Sequence, residues 1–171
     1  ALACYTVVVG KDASATGCAF YGRTVDMSGH CPTTIVAVPA QNGPGTWHYV
    51  DSFTGLEIDL PNTAYAHLYT TALEDEKDFK GTWDESDINS CKVSISATET
   101  ITCNDTMLAL DPYVKNGISE SSISFIVIPY VASAREGVER LGALIDQYGM
   151  ASSEACVIGD ENEVWYFEAY S

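Results

Sequence analysis

Residues 4–26 combine a cysteine with the pattern of a β-hairpin. β-Branched residues at 5–9 predict one strand, small and polar residues at 10–17 predict a turn, and residues 18–26 predict a second strand. Antiparallel pairing of these strands would carry Arg23 and Asp26 back beside Cys4. We therefore expect the chain to start with a hairpin that collects a thiol, a guanidinium and a carboxylate.

The residues before this cysteine resemble a processing site. Ala1-Leu2-Ala3 has the small-x-small form of a signal-peptidase site, so cleavage after Ala3 would make Cys4 the first residue. A thiol and a free α-amine would then belong to one residue, and that amine could act as the general base for the thiol. The pattern predicts that residues 1–3 are a residual signal or propeptide and that residues 4–171 form the domain.

Length and charge limit the classes of protein to which the chain can belong. Its 171 residues are enough for one domain with a sizeable core, and its 46% of hydrophobic residues contain no run long enough for a transmembrane helix. The chain has 8 basic and 24 acidic residues, which gives a net charge of −16. This charge argues against nucleic acid and anionic membrane surfaces as partners.

Six cysteines are scattered along the chain, at positions 4, 18, 31, 91, 103 and 156. Their spacing matches neither a CxxC redox motif nor a zinc site, so we expect no metal and no cofactor. If Cys4 is a nucleophile, at most two disulfides can form among the others, and Cys91 with Cys103 is the pair we expect. Together with the signal-like start, this favours a secreted or cell-surface protein, and a cytoplasmic protein with free buried thiols is the alternative.

The middle of the chain predicts strands and one irregular segment. Residues 92–102 alternate apolar and hydroxyl side chains, which is typical of a strand with one polar face. Composition favours solvent, rather than a polar pocket, for that face. Residues 47–83 are less regular, and they predict a short helix at 63–72. On composition alone their aromatic residues are ordinary core anchors.

Two helices and a final hairpin are expected in the last third of the chain. Residues 118–128 start with serines suited to capping and continue as an apolar helix that Pro129 ends. Residues 133–149 have a capping box, apolar positions three and four apart, and a terminal glycine. Residues 155–168 predict a hairpin. Strands, two adjacent helices and further strands indicate an α+β fold.

Three ordered parts of the sequence resemble one enzyme family. They read Cys-x-Thr-x-x-x-Gly-Lys-x-Ala-Ser at 4–14 with Gly-Arg-x-x-Asp at 22–26, Ile-Asn-Ser-Cys-Lys-Val-Ser-Ile-Ser-Ala-Thr-Glu-Thr-Ile at 88–101, and Pro-Tyr-Val-Ala-Ser-Ala-Arg-Glu-Gly-Val-Glu-Arg-Leu-Gly at 129–142. These parts are similar to the dipeptidase A-type cysteine dipeptidases, which are N-terminal-nucleophile hydrolases related to choloylglycine hydrolase and penicillin V acylase. The resemblance runs through nearly the whole chain. It also implies that residues 47–83 are a pocket-shaping insertion, because related enzymes have a loop beside the pocket at this position.

The resemblance implies a fold, a reaction and four site residues. The fold would be the αββα sandwich, and the reaction would be hydrolysis of small peptides, particularly dipeptides, through a thioester on Cys4. Arg23 would favour the thiolate, and Asp26 would accept a hydrogen bond from the α-amine of Cys4. Asn89 would donate its amide to the oxyanion. Without the resemblance, Arg23 and Asp26 would be interpreted as a cross-strand ion pair and Asn89 as a loop residue.

The resemblance also implies that further chain belongs to this fold. Family members continue beyond the strand at 163–170, so we expect an N-terminal portion whose partner is the remaining C-terminal part of the same precursor. A shortened relative is the alternative. An incomplete sheet would expose an edge that can pair with a second copy, giving a homo-oligomer. The sister families cleave bile-salt conjugates or penicillin V, so an amidase of the choloylglycine hydrolase or penicillin V acylase type is one alternative. An exported binding domain that keeps the fold without catalysis is the alternative from another class of protein.

Overall fold

The computed structural model describes residues 4–26, 33–72, 83–98 and 101–171. The predicted signal or propeptide residues 1–3 lie outside this part of the chain. The described residues form ten strands and three α-helices, and every strand pair in them is antiparallel. The predicted α+β class is therefore confirmed. None of the helices in these residues is long and apolar enough to cross a membrane.

The strands are β1 Thr6–Val9, β2 Phe20–Arg23, β3 Thr33–Val38, β4 Gln41–Val50, β5 Glu57–Ala64, β6 His67–Ala72, β7 Trp83–Asn89, β8 Ser94–Thr98, β9 Glu154–Gly159 and β10 Val164–Ala169. The helices are α1 Asp105–Leu110, α2 Glu120–Val127 and α3 Ala134–Tyr148. A six-stranded sheet has the order β10-β9-β8-β7-β6-β3, and two further pairs are β1-β2 and β4-β5.

The two longer helices supply the layer that covers one face of the large sheet. Seven of the eight residues of α2 are buried, and α2 ends at Val127 before a 3-10 turn at Ile128–Tyr130 that contains Pro129. The predicted N-cap of α3 is confirmed, because the Ser133 hydroxyl accepts a hydrogen bond from the backbone N–H of Glu136 at 3.2 Å. The full capping box is not formed, since the Glu136 carboxylate accepts from the backbone N–H of Ala132 instead of Ser133. The core includes residues of both helices and of the neighbouring strands β8 and β9, namely Ile95, Ala97, Ile123, Ile126, Leu141 and Ile158.

The β1-β2 hairpin lies on the face of the sheet opposite α3. The side chain of Ile158 in β9 contacts Gly137 of α3, whereas the ring of Tyr21 lies against the neighbouring Gly159. Because successive residues of a strand point to opposite faces, α3 and the hairpin cover different sides of β9. The Tyr21 hydroxyl also donates to Ser94 Oγ at 2.6 Å, which ties the hairpin to β8.

The helix predicted at 63–72 is wrong. These residues form the end of β5 and the whole of β6, and β6 pairs with β3 on one side and β7 on the other. The pairing of β6 with two strands outweighs its local helical pattern. The aromatic residues of the neighbouring β4 are core anchors, because Trp47 and Tyr49 pack on Phe125 of α2 with ring centroids 6.1 Å and 5.2 Å away.

The disulfide predicted between Cys91 and Cys103 is also wrong, since both thiols are free. Cys91 lies in the turn before β8, and Cys103 follows the opposite end of that strand. A strand rises about 3.3 Å per residue, so β8 holds the two cysteines too far apart for a disulfide. The other cysteines in the described residues, Cys4, Cys18 and Cys156, are free as well.

Candidate active site

The predicted hairpin at the beginning of the chain is confirmed. Thr6 pairs with Arg23, and the ladder continues one residue further because Thr24 N donates to Tyr5 O at 2.9 Å. Alternate residues of a strand share a face, so this register places half-buried Cys4 on the side of Thr6 and Arg23. Cys4 and Arg23 are thus diagonal cross-strand neighbours, a separation of about 7–8 Å between Cα atoms that long side chains can bridge.

Arg23 is buried between two carboxylates. Its guanidinium forms ion pairs with Glu85 of β7 and, at 2.6 Å, with Glu120 at the first position of α2. The side chains of Arg23, Glu85 and Glu120 are only 3%, 6% and 8% exposed, respectively. One guanidinium therefore joins the hairpin, the large sheet and the helix layer in a site shielded from water.

Asp26 is connected to the first strand through a threonine. The backbone N–H of Tyr5 donates to Thr24 Oγ1 at 2.9 Å, and the same hydroxyl donates to Asp26 Oδ2 at 3.1 Å. This short chain runs from the residue after Cys4 to the carboxylate of Asp26. The two hydrogen bonds therefore hold together the end of the hairpin that is remote from its turn, next to Cys4.

Asn89 is at the other end of β7 from the Arg23 contact. Its amide donates to the carbonyl oxygens of Ile128 and Val131, both at 2.7 Å, and its Oδ1 accepts from the backbone N–H groups of Cys91 and Val93. Both N–H bonds of the buried amide therefore point at carbonyls at the two ends of the 3-10 turn that follows α2. An oxyanion role would require this amide to leave those partners.

A cleft of about 590 Å³ lies between the hairpin and the large sheet. Tyr21 and Arg23 line it from the hairpin side, and the sheet contributes a row of hydroxyls from Thr70, Ser86, Ser94 and Ser96. The polar face of β8 thus lines the cleft, and the expectation that solvent covers this face is wrong for Ser94 and Ser96. Alternation had located the polar face, but the hairpin that covers it comes from a distant part of the sequence.

Sequence reasoning missed two buried aspartates of β7. Asp84 and Asp87 are 1% and 3% exposed, and no hydrogen bond of normal geometry reaches their carboxylate oxygens in the described residues, although the backbone N–H groups of Ser86 and Ile88 lie nearby. Burial raises the pKa of Asp84 well above its usual range, and the nearby Asp87 raises it further. Burial also raises the pKa of Asp87 to about 8. His67 Nε2 lies 3.9 Å from Asp87 Oδ2, and burial lowers the pKa of this histidine.

In the residues that the structure describes, no group of three or more histidine, cysteine, aspartate or glutamate side chains is arranged as a metal site.

The sequence signal for the two buried aspartates is the acidic run at Asp84, Glu85 and Asp87 inside an otherwise strand-like segment. An acidic run ordinarily indicates a solvated segment, so the sequence alone does not show that Asp84 and Asp87 are buried.

The stability of the fold is expected to decrease as the pH rises from about 5 to 8. Unfolded Asp87 ionises near pH 4, whereas folded Asp87 keeps its proton to about pH 8, so the folded state binds more protons in between. The free energy of unfolding should fall by up to ~1.4 kcal/mol per pH unit in this window. Asp84 acts in the same direction. The Asp87→Asn variant cannot titrate there and should show a shallower slope in urea unfolding.

The exposed Asp12→Asn variant is the control, and its slope should match that of the parent chain. His67 has the opposite effect on the free energy of unfolding below about pH 6.5, because burial lowers its pKa in the folded state. Each variant is therefore compared with the parent at the same pH. Equal slopes for the parent and Asp87→Asn would contradict the assignment of a protonated Asp87.

Comparison with known proteins identifies the family of this chain. The family model of Peptidase family C69 matches residues 3–171. A probable dipeptidase B of Streptococcus pyogenes serotype M18 (strain MGAS8232) is 35% identical over 169 residues, which are 99% of this chain and 33% of that protein. A probable dipeptidase A of Streptococcus pyogenes serotype M3 (strain SSI-1) is 37% identical over 98% of this chain and 35% of its own length.

The chain thus spans about a third of the length of these relatives. The match runs through the hairpin of Cys4, the strand that ends at Asn89 and both long helices. The resemblance stated from the sequence motifs is confirmed, and the chain belongs to peptidase family C69.

Proposed function

We propose that this chain carries the nucleophile of a cysteine peptidase that hydrolyses small peptides, with dipeptides as the first substrates to examine. The observation that carries this proposal is the hairpin register, which puts Cys4 diagonally across from a buried Arg23. Membership of a peptidase family and relatives named as probable dipeptidases support the reaction class.

The reaction follows from the groups that a terminal Cys4 would carry. After loss of residues 1–3, the α-amine of Cys4 takes the thiol proton while Sγ attacks the scissile carbonyl. The amine then gives that proton to the leaving amine, and a thioester between Cys4 and the acyl group remains. Water attacks the thioester, the acid product leaves, and the thiol is restored.

Each hairpin residue has a proposed role in this reaction. Asp26 accepts a hydrogen bond from the α-amine of Cys4, and its contact with Thr24 holds the carboxylate in place. Arg23 fixes the hairpin on β7 and α2 through its two ion pairs. The oxyanion role of Asn89 has less geometric support, because both N–H bonds of the amide are used by carbonyls of the 3-10 turn after α2.

We further propose that the chain is the first half of an αββα sandwich. The helices cover one face of the large sheet, and the opposite face leaves three apolar residues of neighbouring strands exposed: Ile35 is 71% exposed, Leu68 47% and Ile88 44%. A second sheet that extends the β1-β2 pair would cover these three residues. The relatives are about three times as long as this chain, so their additional residues could form such a sheet. An apolar dye such as ANS should bind this chain and not the full-length protein.

The state of the thiol tests the proposed function. When the chain starts at Cys4, a thiol-reactive probe near neutral pH should label Cys4 faster than Cys18, which is exposed and lies on the same hairpin. When residues 1–3 remain, this preference should disappear. The nitrogen of Cys4 is then part of a peptide bond and cannot act as a general base. Labelling is located by peptide mass spectrometry. Equal labelling of both cysteines in the processed chain would support a binding domain without catalysis instead.

Export is proposed on the form of Ala1-Leu2-Ala3 alone. Signal-peptidase cleavage at this site would expose the α-amine of Cys4 and so activate the nucleophile in the same step. N-terminal analysis of the secreted protein should find Cys4 as the first residue. A mature protein that starts at any other residue contradicts this activation step.

A further inference from the structure

Thr24 takes the place of a backbone partner at the last residue pair of the hairpin. The N–H of Thr24 donates to the carbonyl of Tyr5 at 2.9 Å, as in an antiparallel ladder. The returning hydrogen bond is different, because the N–H of Tyr5 donates at 2.9 Å to the Thr24 hydroxyl instead of the Thr24 carbonyl. A side chain therefore completes the last pair of the ladder, immediately after Cys4.

This hydroxyl restrains the backbone of Cys4. The nitrogen that donates to it belongs to the peptide bond between Cys4 and Tyr5, and the atoms of a peptide unit are coplanar, including the Cα atom of Cys4. A hydrogen bond to this N–H therefore fixes the orientation of the plane that contains the Cα atom of Cys4. The amine and the side chain of Cys4 are then left with rotations about the bonds of that single Cα atom.

The same hydroxyl holds the carboxylate that is proposed to bind the α-amine. It accepts from the Tyr5 N–H and donates its single proton to Asp26 Oδ2 at 3.1 Å, so the two hydrogen bonds together define its orientation. Two hydrogen bonds thus connect the peptide plane after Cys4 with the Asp26 carboxylate. Because Thr24 engages Oδ2, Oδ1 is the oxygen that accepts from the α-amine in the proposed reaction.

We propose that Thr24 is a positioning residue of the Cys4 site, whose hydroxyl aligns the α-amine of Cys4 with the Asp26 carboxylate. The inference rests on the proposed function, since it takes Cys4 as the nucleophile and its α-amine as the base. Thr24 acts through Asp26 and the Tyr5 peptide, and it touches no reacting atom itself. Its task differs from that of Arg23, which joins the hairpin to the large sheet through the buried ion pair with Glu85.

A role in stability alone does not explain this hydroxyl. Thr24 and Tyr5 are exposed, so water can replace the hydroxyl as the partner of the Tyr5 N–H and of Asp26. Hydrogen bonds that water can replace contribute little to the free energy of unfolding, whereas their directions matter for two groups that must meet in a reaction. The Thr24→Val variant keeps the shape of the side chain without the hydroxyl and is therefore expected to fold.

The kinetics of the full-length protein test this role. Thr24→Val should lower kcat for dipeptide hydrolysis roughly 10-fold and leave KM within about twofold, because the base loses its alignment while the substrate contacts remain. Thr24→Ser keeps the hydroxyl and should recover most of this loss. The matched control is Thr16→Val, which removes the hydroxyl of an exposed threonine at the turn end of the hairpin and should leave kcat unchanged.

A double-mutant cycle shows whether Thr24 acts through Asp26. When Asp26→Asn has removed the carboxylate, Thr24→Val should reduce kcat by less than about twofold more, because no carboxylate is left to align. A purely structural role of Thr24 predicts instead that the two losses multiply.

Three results would overturn the inference and leave the proposed function intact, provided that Cys4→Ala is inactive. They are a parental kcat in Thr24→Val, a Thr24→Ser variant as slow as Thr24→Val, and losses that multiply in the double variant with Asp26→Asn. Hydrolysis that survives in Cys4→Ala would overturn the proposed function, and the inference with it.

Discussion

Replacement of Cys4 by alanine is expected to reduce dipeptide hydrolysis by roughly 10³-fold or more, because the variant has no atom that can form the thioester. The assay uses the protein at the full length of its relatives, since this chain spans about a third of that length. Substrate binding should persist, so the loss should appear in kcat with little change in KM.

Cys18→Ala is the control for this variant. Cys18 is a free, exposed cysteine on the same hairpin, and its replacement should leave kcat within about twofold of the parent, as is usual for surface substitutions away from a site. Hydrolysis that survives in Cys4→Ala but is lost in Cys18→Ala would identify Cys18 as the nucleophile. Hydrolysis that survives in both variants would contradict a cysteine mechanism.

Replacement of Arg23 by methionine is expected to lower the free energy of unfolding by ~3–5 kcal/mol, because it leaves the buried Glu85 and Glu120 without their cation. Methionine keeps most of the side-chain length, so the lost charge dominates the effect. Urea unfolding measures the change. Acidification should recover part of the loss, since protonation removes the unpaired charges.

Lys92→Met provides the comparison with an exposed ion pair. Lys92 and Glu161 form an ion pair at 3.1 Å with side chains 74% and 66% exposed, and its loss should cost less than about 1 kcal/mol. A similar small cost for Arg23→Met would show that Glu85 and Glu120 are not held by Arg23.

The sequence predicts elements whose signals are local. The first hairpin has a β-branched segment and a second extended segment around a turn, and this pattern predicts that the two strands pair. Helix α3 has its capping serine, its apolar spacing and its terminal Gly149 within one short segment. Segments of this kind carry most of the information that determines their own conformation, so they were predicted close to their observed bounds.

The sequence does not predict contacts that depend on which strands become neighbours. Arg23 reaches Glu85 and Glu120 only because the hairpin folds over β7 and the beginning of α2, far away in the sequence. The alternation of β8 does not show that its hydroxyl row lines a cleft, because the cleft is built from other segments of the chain. The Cys91–Cys103 prediction failed because it ignored the strand that separates the two thiols.

Covalent trapping of the acyl-enzyme shows whether Cys4 forms the thioester. Full-length protein that begins at Cys4 is mixed with a dipeptide, quenched in acid during turnover, digested and analysed by mass spectrometry. A thioester on Cys4 predicts that the mass of the Cys4 peptide increases by the residue mass of the N-terminal amino acid of the dipeptide, and that this increase is absent in Cys4→Ala. An unmodified Cys4 together with an acyl adduct on any other residue would contradict Cys4 as the nucleophile.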